Sequence, residues 1–296
     1  MTRESVGLVS EAMAKRGWTP TGPWSWTASL KNGAVLPALA RLDEGWLRVE
    51  VEMAGLPESS PWELLLAGGS FPSRVRLALA SRAAQANSVR LVADLDTEEI
   101  EGWPARILDV SEELTAAASR LHGSTLDAPE PEAPPPESIA EMIRGAGWSC
   151  EARGEHGFEI AIDGDGVGAR AHLAARGGGL RLFAPLRKNA EAGGDECADA
   201  TALFLLLASH RLRAVRAVAR CEPGRPETAV GWETALPVEP RAEQLDRALH
   251  ALAVACRHSL REVQALATPA LFRNYLNQRN GGSRERAPHT AARASR

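Results

Sequence analysis

Apolar residues recur along this chain at two spacings, and the two spacings alternate in the same order twice. In the first half, Val9, Ala12 and Met13 fall at i, i+3 and i+4 within residues 8–18, one face of a helix that ends on Gly17-Trp18. An alternating run through Trp24, Trp26 and Leu30 predicts a half-buried strand, closed by the turn residues Lys31-Asn32-Gly33. A second strand is expected over 36–42. A third places Leu47, Val49, Val51 and Met53 on one face and Arg48, Glu50 and Glu52 on the other, the pattern of a strand with one wet face. Ser60-Pro61-Trp62-Glu63 then reads as a capping box with proline at the first helical position. Strands over 74–79 and 89–95 precede a long helix striped by Ile107, Val110, Leu114, Ala117 and Leu121.

The second half repeats this order. At an offset of 130, Glu11, Gly17 and Trp18 recur as Glu141, Gly147 and Trp148, and Val9, Ala12 and Met13 as Ile139, Met142 and Ile143. Alternating Phe158, Ile160 and Ile162 lead into Asp163-Gly164-Asp165-Gly166, a turn expected between strands. Further strands are predicted over 169–175 and 178–182, a helix over 198–209, and strands over 211–216 and 228–236. A final helix is marked by Leu245, Leu249, Leu252, Cys256, Leu260 and Val263. Helix, three strands, helix, two strands, helix, twice over, predicts an α+β protein of two repeated α-β-β-β-α-β-β-α units. Each unit would be an antiparallel sheet packed with helices, and the two would pair within the molecule as a pseudo-dimer.

Composition adds boundaries to that pattern. The chain has 296 residues, room for two domains. D-A-P-E-P-E-A-P-P-P at 127–136 cannot form helix or sheet and predicts a semi-rigid spacer. The expected units are 1–123 and 138–277, with a linker over 124–137 and a disordered basic tail over 278–296. The net charge of −4 conceals four parts. Residues 1–123 hold twelve basic and sixteen acidic side chains, 124–137 four acids alone, 138–277 seventeen of each, and the tail five arginines against Glu285. A neutral-to-acidic body argues against a nucleic-acid surface. Thirty-one arginines beside three lysines read as the codon bias of a GC-rich bacterial genome. No apolar run approaches a membrane span, and the chain opens on no signal-type apolar block, so a cytoplasmic protein is expected. Four cysteines without C-x-x-C spacing match a reducing compartment rather than a zinc ribbon or disulfide scaffold.

The element order, with the Gly17-Trp18 and Gly147-Trp148 helix ends, resembles the class I type III secretion chaperone fold and the similar YbjN-like family. The resemblance covers about 110 to 130 residues of each half. It implies a non-enzymatic protein that pairs as a dimer and binds an extended segment of another protein, a secretion substrate or a regulatory partner, through grooves and strand addition. The fusion of two units departs from that pattern, as does the neutral second half.

Candidate chemistry is sparse. Asp163-Gly-Asp165-Gly lacks an EF-hand glutamate, since the twelfth residue of such a loop would be Ala174. His250, Cys256 and His258 lack the i, i+4 spacing of a helical metal pair, and Cys256 sits on an apolar stripe. The clusters Gly177-Gly-Gly179 and Gly193-Gly194 are not followed by a phosphate-loop Lys-Ser/Thr. No catalytic, cofactor or metal site is therefore expected. Arg74/Arg76 and Arg211/Arg213 recur at matched places on a strand, either as a stripe that recognises acids or as a solvated face paired with glutamates. Trp24, Trp26 and Trp46 lie on strands, where an exposed indole anchors a protein contact and a covered one packs between the halves. These seven residues are the candidate protein-binding set. Leu271, Phe272, Tyr275 and Leu276 form a short amphipathic stretch that docks on the body or on a partner. The alternative to protein binding is a small-molecule or enzymatic site in the cleft between the halves, built of Arg and His from both. A deep cleft of ionisable groups would favour it; a shallow apolar groove or free sheet edge would favour protein binding.

Overall fold

In a computed structural model the described residues form two six-stranded antiparallel sheets and seven helices. The structure describes residues 3–280 apart from 31–32, 44, 54–58, 72–73, 83–84, 97–102, 124–134, 153–156, 163–168, 177–178, 190–195 and 222–227. Most of the proline-acid linker, the Asp163–Gly166 turn, both glycine clusters except Gly179, and residues 281–296 of the tail lie outside these.

The first half runs α1 (Arg3–Lys15), β1 (Thr19–Gly22), β2 (Ser25–Ser29), β3 (Val35–Asp43), β4 (Trp46–Glu52), α2 (Pro61–Gly68), β5 (Val75–Arg82), β6 (Gln85–Asp96) and α3 (Trp103–Gly123). The second runs α4 (Glu137–Gly145), β7 (Ser149–Ala152), β8 (Phe158–Ala161), β9 (Arg170–Arg176), β10 (Gly179–Asn189), α5 (Glu196–Ser209), β11 (Arg216–Cys221), β12 (Thr228–Pro237), α6 (Ala242–Ala265) and α7 (Pro269–Asn280). The sheet orders are β1-β2-β3-β4-β6-β5 and β7-β8-β9-β10-β12-β11, identical position for position. That arrangement is compatible with a repeated unit. Each half holds four strands before its middle helix, not three. The additional ones, β1 and β7, are four residues long, and T-P-T-G and S-C-E-A carry too little alternation to be read as strands.

Local chemistry explains the shared helix ends. Gly17 and Gly147 have φ of +77° and +88°, left-handed values that favour glycine. The Trp18 N–H donates to the Met13 carbonyl at 3.1 Å and the Trp148 N–H to that of Ile143 at 3.2 Å. Gly17 and Gly147 donate to Ala14 and Arg144, completing a Schellman motif in each half. The Ser60 capping box also forms: the Glu63 N–H donates to Ser60 Oγ at 3.2 Å, and the Ser60 N–H to the Glu63 carboxylate at 2.8 Å.

One hydrophobic core runs through both halves, from Val9, Trp18 and Trp26 to Trp232, Leu252 and Val263. α3 packs on α1 and over β5 and β6; α6 packs on α4 and across β10 and β12. The middle helices cross over. α2 and α5 pack on each other, while α5 leans on β5 of the first half and α2 on β11 of the second. α7 packs on α5 through Phe272 and Tyr275, while Leu271 is exposed; its helix extends to Asn280, three residues into the expected tail.

Candidate functional site

The polar face of β4 is not wet. Arg48 and Glu50 are 6% and 5% exposed, as enclosed as much of the core, because the second half covers them. Arg48 lies directly opposite Asp94 on β6 and donates to it from Nε at 2.7 Å. Its Nη1 reaches the His210 carbonyl at 2.6 Å and its Nη2 the Leu212 carbonyl at 3.4 Å, both just past the end of α5. Arg76, on the same face of β5, pairs with Asp94 at 2.6 Å and donates from Nε to the Ser209 carbonyl at 2.9 Å. Two arginines of the first half thus cap the C-terminal carbonyls of a helix in the second, where the helix dipole favours cations.

The second half returns the arrangement. Arg216 lies opposite Glu233 on β12 and bonds it from Nε at 2.8 Å. Its Nη1 donates to the carbonyl of Phe71 at 3.0 Å, between α2 and β5, and to that of Val75 at 3.3 Å, at the start of β5. Glu233 has no exposed surface and also pairs with Arg220 and, at 3.9 Å, with Arg181. Burial pushes its carboxyl up, but Arg216, Arg220 and Arg181 outweigh that and hold it down at about 2. Burial likewise raises Glu50, and His210, Arg90 and Arg41 bring it down to about 2. Asp199 on α5 reinforces the interlock by accepting the Trp62 N–H at 3.1 Å, in the first turn of α2.

Above these ion pairs lies a cleft of about 830 Å³ between the halves. Among the described residues it is lined by seven arginines, 74, 76, 106, 181, 213, 216 and 247, against two carboxylates, Asp94 and Glu233. Trp46, Leu95, Val215 and Leu236 supply apolar wall, and His250 stands on the α6 side. Equivalent strand positions of the two sheets meet across it: the starts of β4 and β10, and the ends of β6 and β12.

The seven candidate residues divide. Trp46, Arg74, Arg76 and Arg213 line the cleft. Arg211 is exposed outside it. Trp26 is 1% exposed and belongs to the core, so a surface-anchor role does not apply to it. Trp24 is half-buried at the turn between β1 and β2, with φ of +63°, and its carbonyl accepts the Ala40 N–H at 2.9 Å. Arg76 lies on neither a solvated face nor an accessible stripe; it is 4% exposed and tied to Asp94.

Its counterpart is Arg216 rather than Arg211 or Arg213, because β11 begins five residues later than the alternation suggests. The N–H groups of Arg211 and Leu212 turn back to the Ala208 carbonyl at 2.9 and 3.0 Å, and Ala214 is left-handed at φ +59°. The pairing Arg216–Glu233, Arg181 and Arg106 carry no sequence signature; only proximity across the fold brings them together.

Cys256 is 1% exposed on the inner face of α6, and burial pushes its thiol to about 12. Trp148 is half-buried, donates to Asp246 at 2.8 Å and meets His250 edge-on at 5.0 Å. Among the described residues no group of three His, Cys, Asp or Glu side chains could hold a metal ion. Nor is any described helix long and apolar enough to cross a membrane. No protein-family model matches the chain, and no curated protein matches it.

Proposed function

We propose that this is a non-enzymatic, chaperone-like binding module that holds a segment of a partner protein in the cleft between its halves. The halves are read as an intramolecular pseudo-dimer of one unit, now α-β-β-β-β-α-β-β-α. Two features support this: the matching sheet orders, and buried arginines of each half that hold the chain after the other's middle helix, Arg48 and Arg76 at the end of α5 and Arg216 at Phe71 beyond α2. The observation that carries the function is the cleft itself, a concave space to which both halves contribute side chains. Its walls mix apolar and cationic groups, the combination that holds a peptide by side-chain burial and fixes its register by charge.

The test is fluorescence anisotropy of short labelled peptides of acidic, neutral and basic composition against the full chain. Saturable binding by at least one composition, abolished when Ala251→Trp narrows the cleft, supports the assignment.

A second reading draws on the same lining. Clustered ionisable groups at the meeting of two halves are the mark that the sequence reading sets for a small-molecule or enzymatic site, and the volume is within the range of small-ligand pockets; the apolar wall of Trp46, Leu95, Val215 and Leu236 is what supports a peptide instead. If every peptide fails while small carboxylates or phosphates raise the melting temperature, that reading replaces the first.

A further inference from the structure

We infer that His250 is a recognition point in the cleft: a fixed hydrogen-bond acceptor that selects a bound segment carrying a neutral donor, a hydroxyl or a backbone N–H, beside an apolar side chain. This rests on the proposed function and names the chemistry that the cleft reads.

Three contacts fix the imidazole. Its Nδ1 lies 2.9 Å from the Asp246 carbonyl oxygen and 3.3 Å from the Asp246 carboxylate, one turn back along α6. That carboxylate is itself held, because the Trp148 indole N–H donates to the same Oδ1 at 2.8 Å. The Trp148 ring also meets the imidazole edge-on, with centroids 5.0 Å apart and planes at 80°. Trp148 follows Gly147 at the end of α4, so two helices set the position of one ring. A carbonyl and a carboxylate only accept, so Nδ1 carries the proton. In the neutral ring Nε2 is then bare and can only accept. Among the described residues it makes no hydrogen bond.

The arrangement occurs in the second half alone. Val110, Leu114 and Ala117 on the α3 stripe have the spacing of Leu245, Leu249 and Leu252 on α6, which matches Ser111 and Thr115 to Asp246 and His250. Those two hydroxyls turn back on their own helix, donating to the carbonyls of Leu108 at 2.8 Å and Ser111 at 2.7 Å. Laying a long helix over the sheet therefore requires no Trp–Asp–His contact. Where the contact does occur, its last member lines the cleft.

The surroundings of His250 admit a chain segment. Ala248 and Ala251 line the same side of the cleft, and side chains this small let a backbone approach α6. Trp46, Leu95 and Leu236 give apolar side chains a place to bury. The imidazole is 65% exposed in the free chain, and a segment seated against α6 covers it. An acceptor covered without a donor loses its water and gains nothing in return. A segment that brings a hydroxyl or an N–H to Nε2 avoids that loss, and one that brings only carbonyls or carboxylates does not. The selection is by donor, not by charge.

The experiment uses the full chain and the fluorescence anisotropy of a labelled peptide of Leu and Ser, compared with the same peptide in which every Ser is Ala. The Ser peptide should bind about threefold to tenfold more tightly. His250→Phe keeps a ring beside Trp148 but removes the acceptor, and should erase that difference. His250→Gln still offers an acceptor oxygen and should keep part of it. His258→Phe, exposed on α6 outside the cleft lining, should change neither affinity. Circular dichroism identifies any variant that fails to fold. A second measurement needs no variant of His250 to bind: long-range proton–nitrogen NMR of the histidine-labelled chain at about pH 8, where imidazoles are neutral. It should show Nδ1 protonated and Nε2 bare, with the Nε2 resonance shifting when the Ser peptide is added. Asp246→Ala should spread the proton over both nitrogens.

Equal weakening of the Ser and Ala peptides by His250→Phe, absent when the peptide backbone is N-methylated, assigns the donor to the backbone N–H and supports the inference. No effect of His250→Phe on either peptide, while Ala251→Trp still abolishes binding, overturns the inference and leaves cleft binding intact. A bare Nδ1 in the free chain overturns it as well. Failure of the Ser peptide while an acidic or basic one binds overturns the inference alone; failure of every composition overturns it together with the proposed function. Cleavage of the peptide that ceases in His250→Phe assigns the ring as a general base, and overturns both the recognition role and the non-enzymatic reading.

Discussion

Glu233 is completely buried, and three guanidinium groups surround it. A buried ion pair is weak evidence for stability, because desolvation offsets the attraction; removing one partner is a different matter. Glu233→Gln leaves Arg181, Arg216 and Arg220 without their shared counter-charge, and the expected loss is about 3–5 kcal/mol. The measurement is the urea midpoint at neutral pH. The same residue sets an acid limit. Its carboxyl, like that of Glu50, is held at about 2, below the unfolded range. The folded state therefore binds protons less readily than the unfolded one. The stabilisation is complete above about pH 4.5 and declines as pH falls towards 2. Urea midpoints across that window should drop steeply for the natural chain and less steeply for Glu233→Gln. Identical slopes would show that Glu233 does not govern acid stability. In the sequence this residue was one acid on an alternating strand; nothing nearby marks it, since Arg216 and Arg181 are brought to it by sheet pairing.

At the scale of elements, what was legible is what is encoded locally. The capping box at Ser60 and the glycine–tryptophan helix ends appear in the structure with the bonds their residue types imply. Gly147→Ala tests the second. A Cβ there meets nothing within 4 Å, so the penalty is the left-handed backbone alone, about 1–2 kcal/mol in thermal or urea unfolding. Gly231 presents the opposite case. It pairs with Pro185 beside the bulge between Pro185 and Arg187, and a Cβ there would overlap the Ala184 carbonyl. Gly231→Ala should therefore destabilise more than Gly147→Ala, although its backbone is ordinary strand. Equal losses would mean that the β10–β12 pair yields easily. What the sequence concealed was which polar faces are covered. Periodicity divides β4 into an apolar and a charged side, and on its own assigns the charged side to water. The second half instead lies on Arg48 and Glu50, a contact between residues more than 150 positions apart. The start of β11 was misplaced for a related reason. Alternation in R-L-R-A-V-R suits a strand, but the chain is still turning off α5, fixed there by arginines from the first half.

For the whole molecule, two units paired within one chain could in principle still unfold one at a time, and the packing points the other way. The core is continuous across the halves. The edge strands β5 and β11 are covered chiefly by the other half's middle helix, β5 by α5 and β11 by α2. Arg76 is satisfied partly by Ser209, and Arg216 by Phe71 and Val75, so separating the halves leaves buried guanidinium groups and helix-end carbonyls without partners. Each half would then carry an exposed apolar helix beside a stripped ion cluster, a state too costly to persist as a stable intermediate. Calorimetry of the full chain should accordingly show one transition, with the calorimetric and van't Hoff enthalpies equal. Arg216→Ala should lower that single transition as a unit and raise hydrogen exchange in β5 and β11 together, though β5 lies in the other half. Two resolved transitions, or exchange that rises in β11 alone, would show that the halves fold separately. The cleft depends on the same outcome, because its walls come from both halves: if the halves part before they unfold, the binding site is lost first.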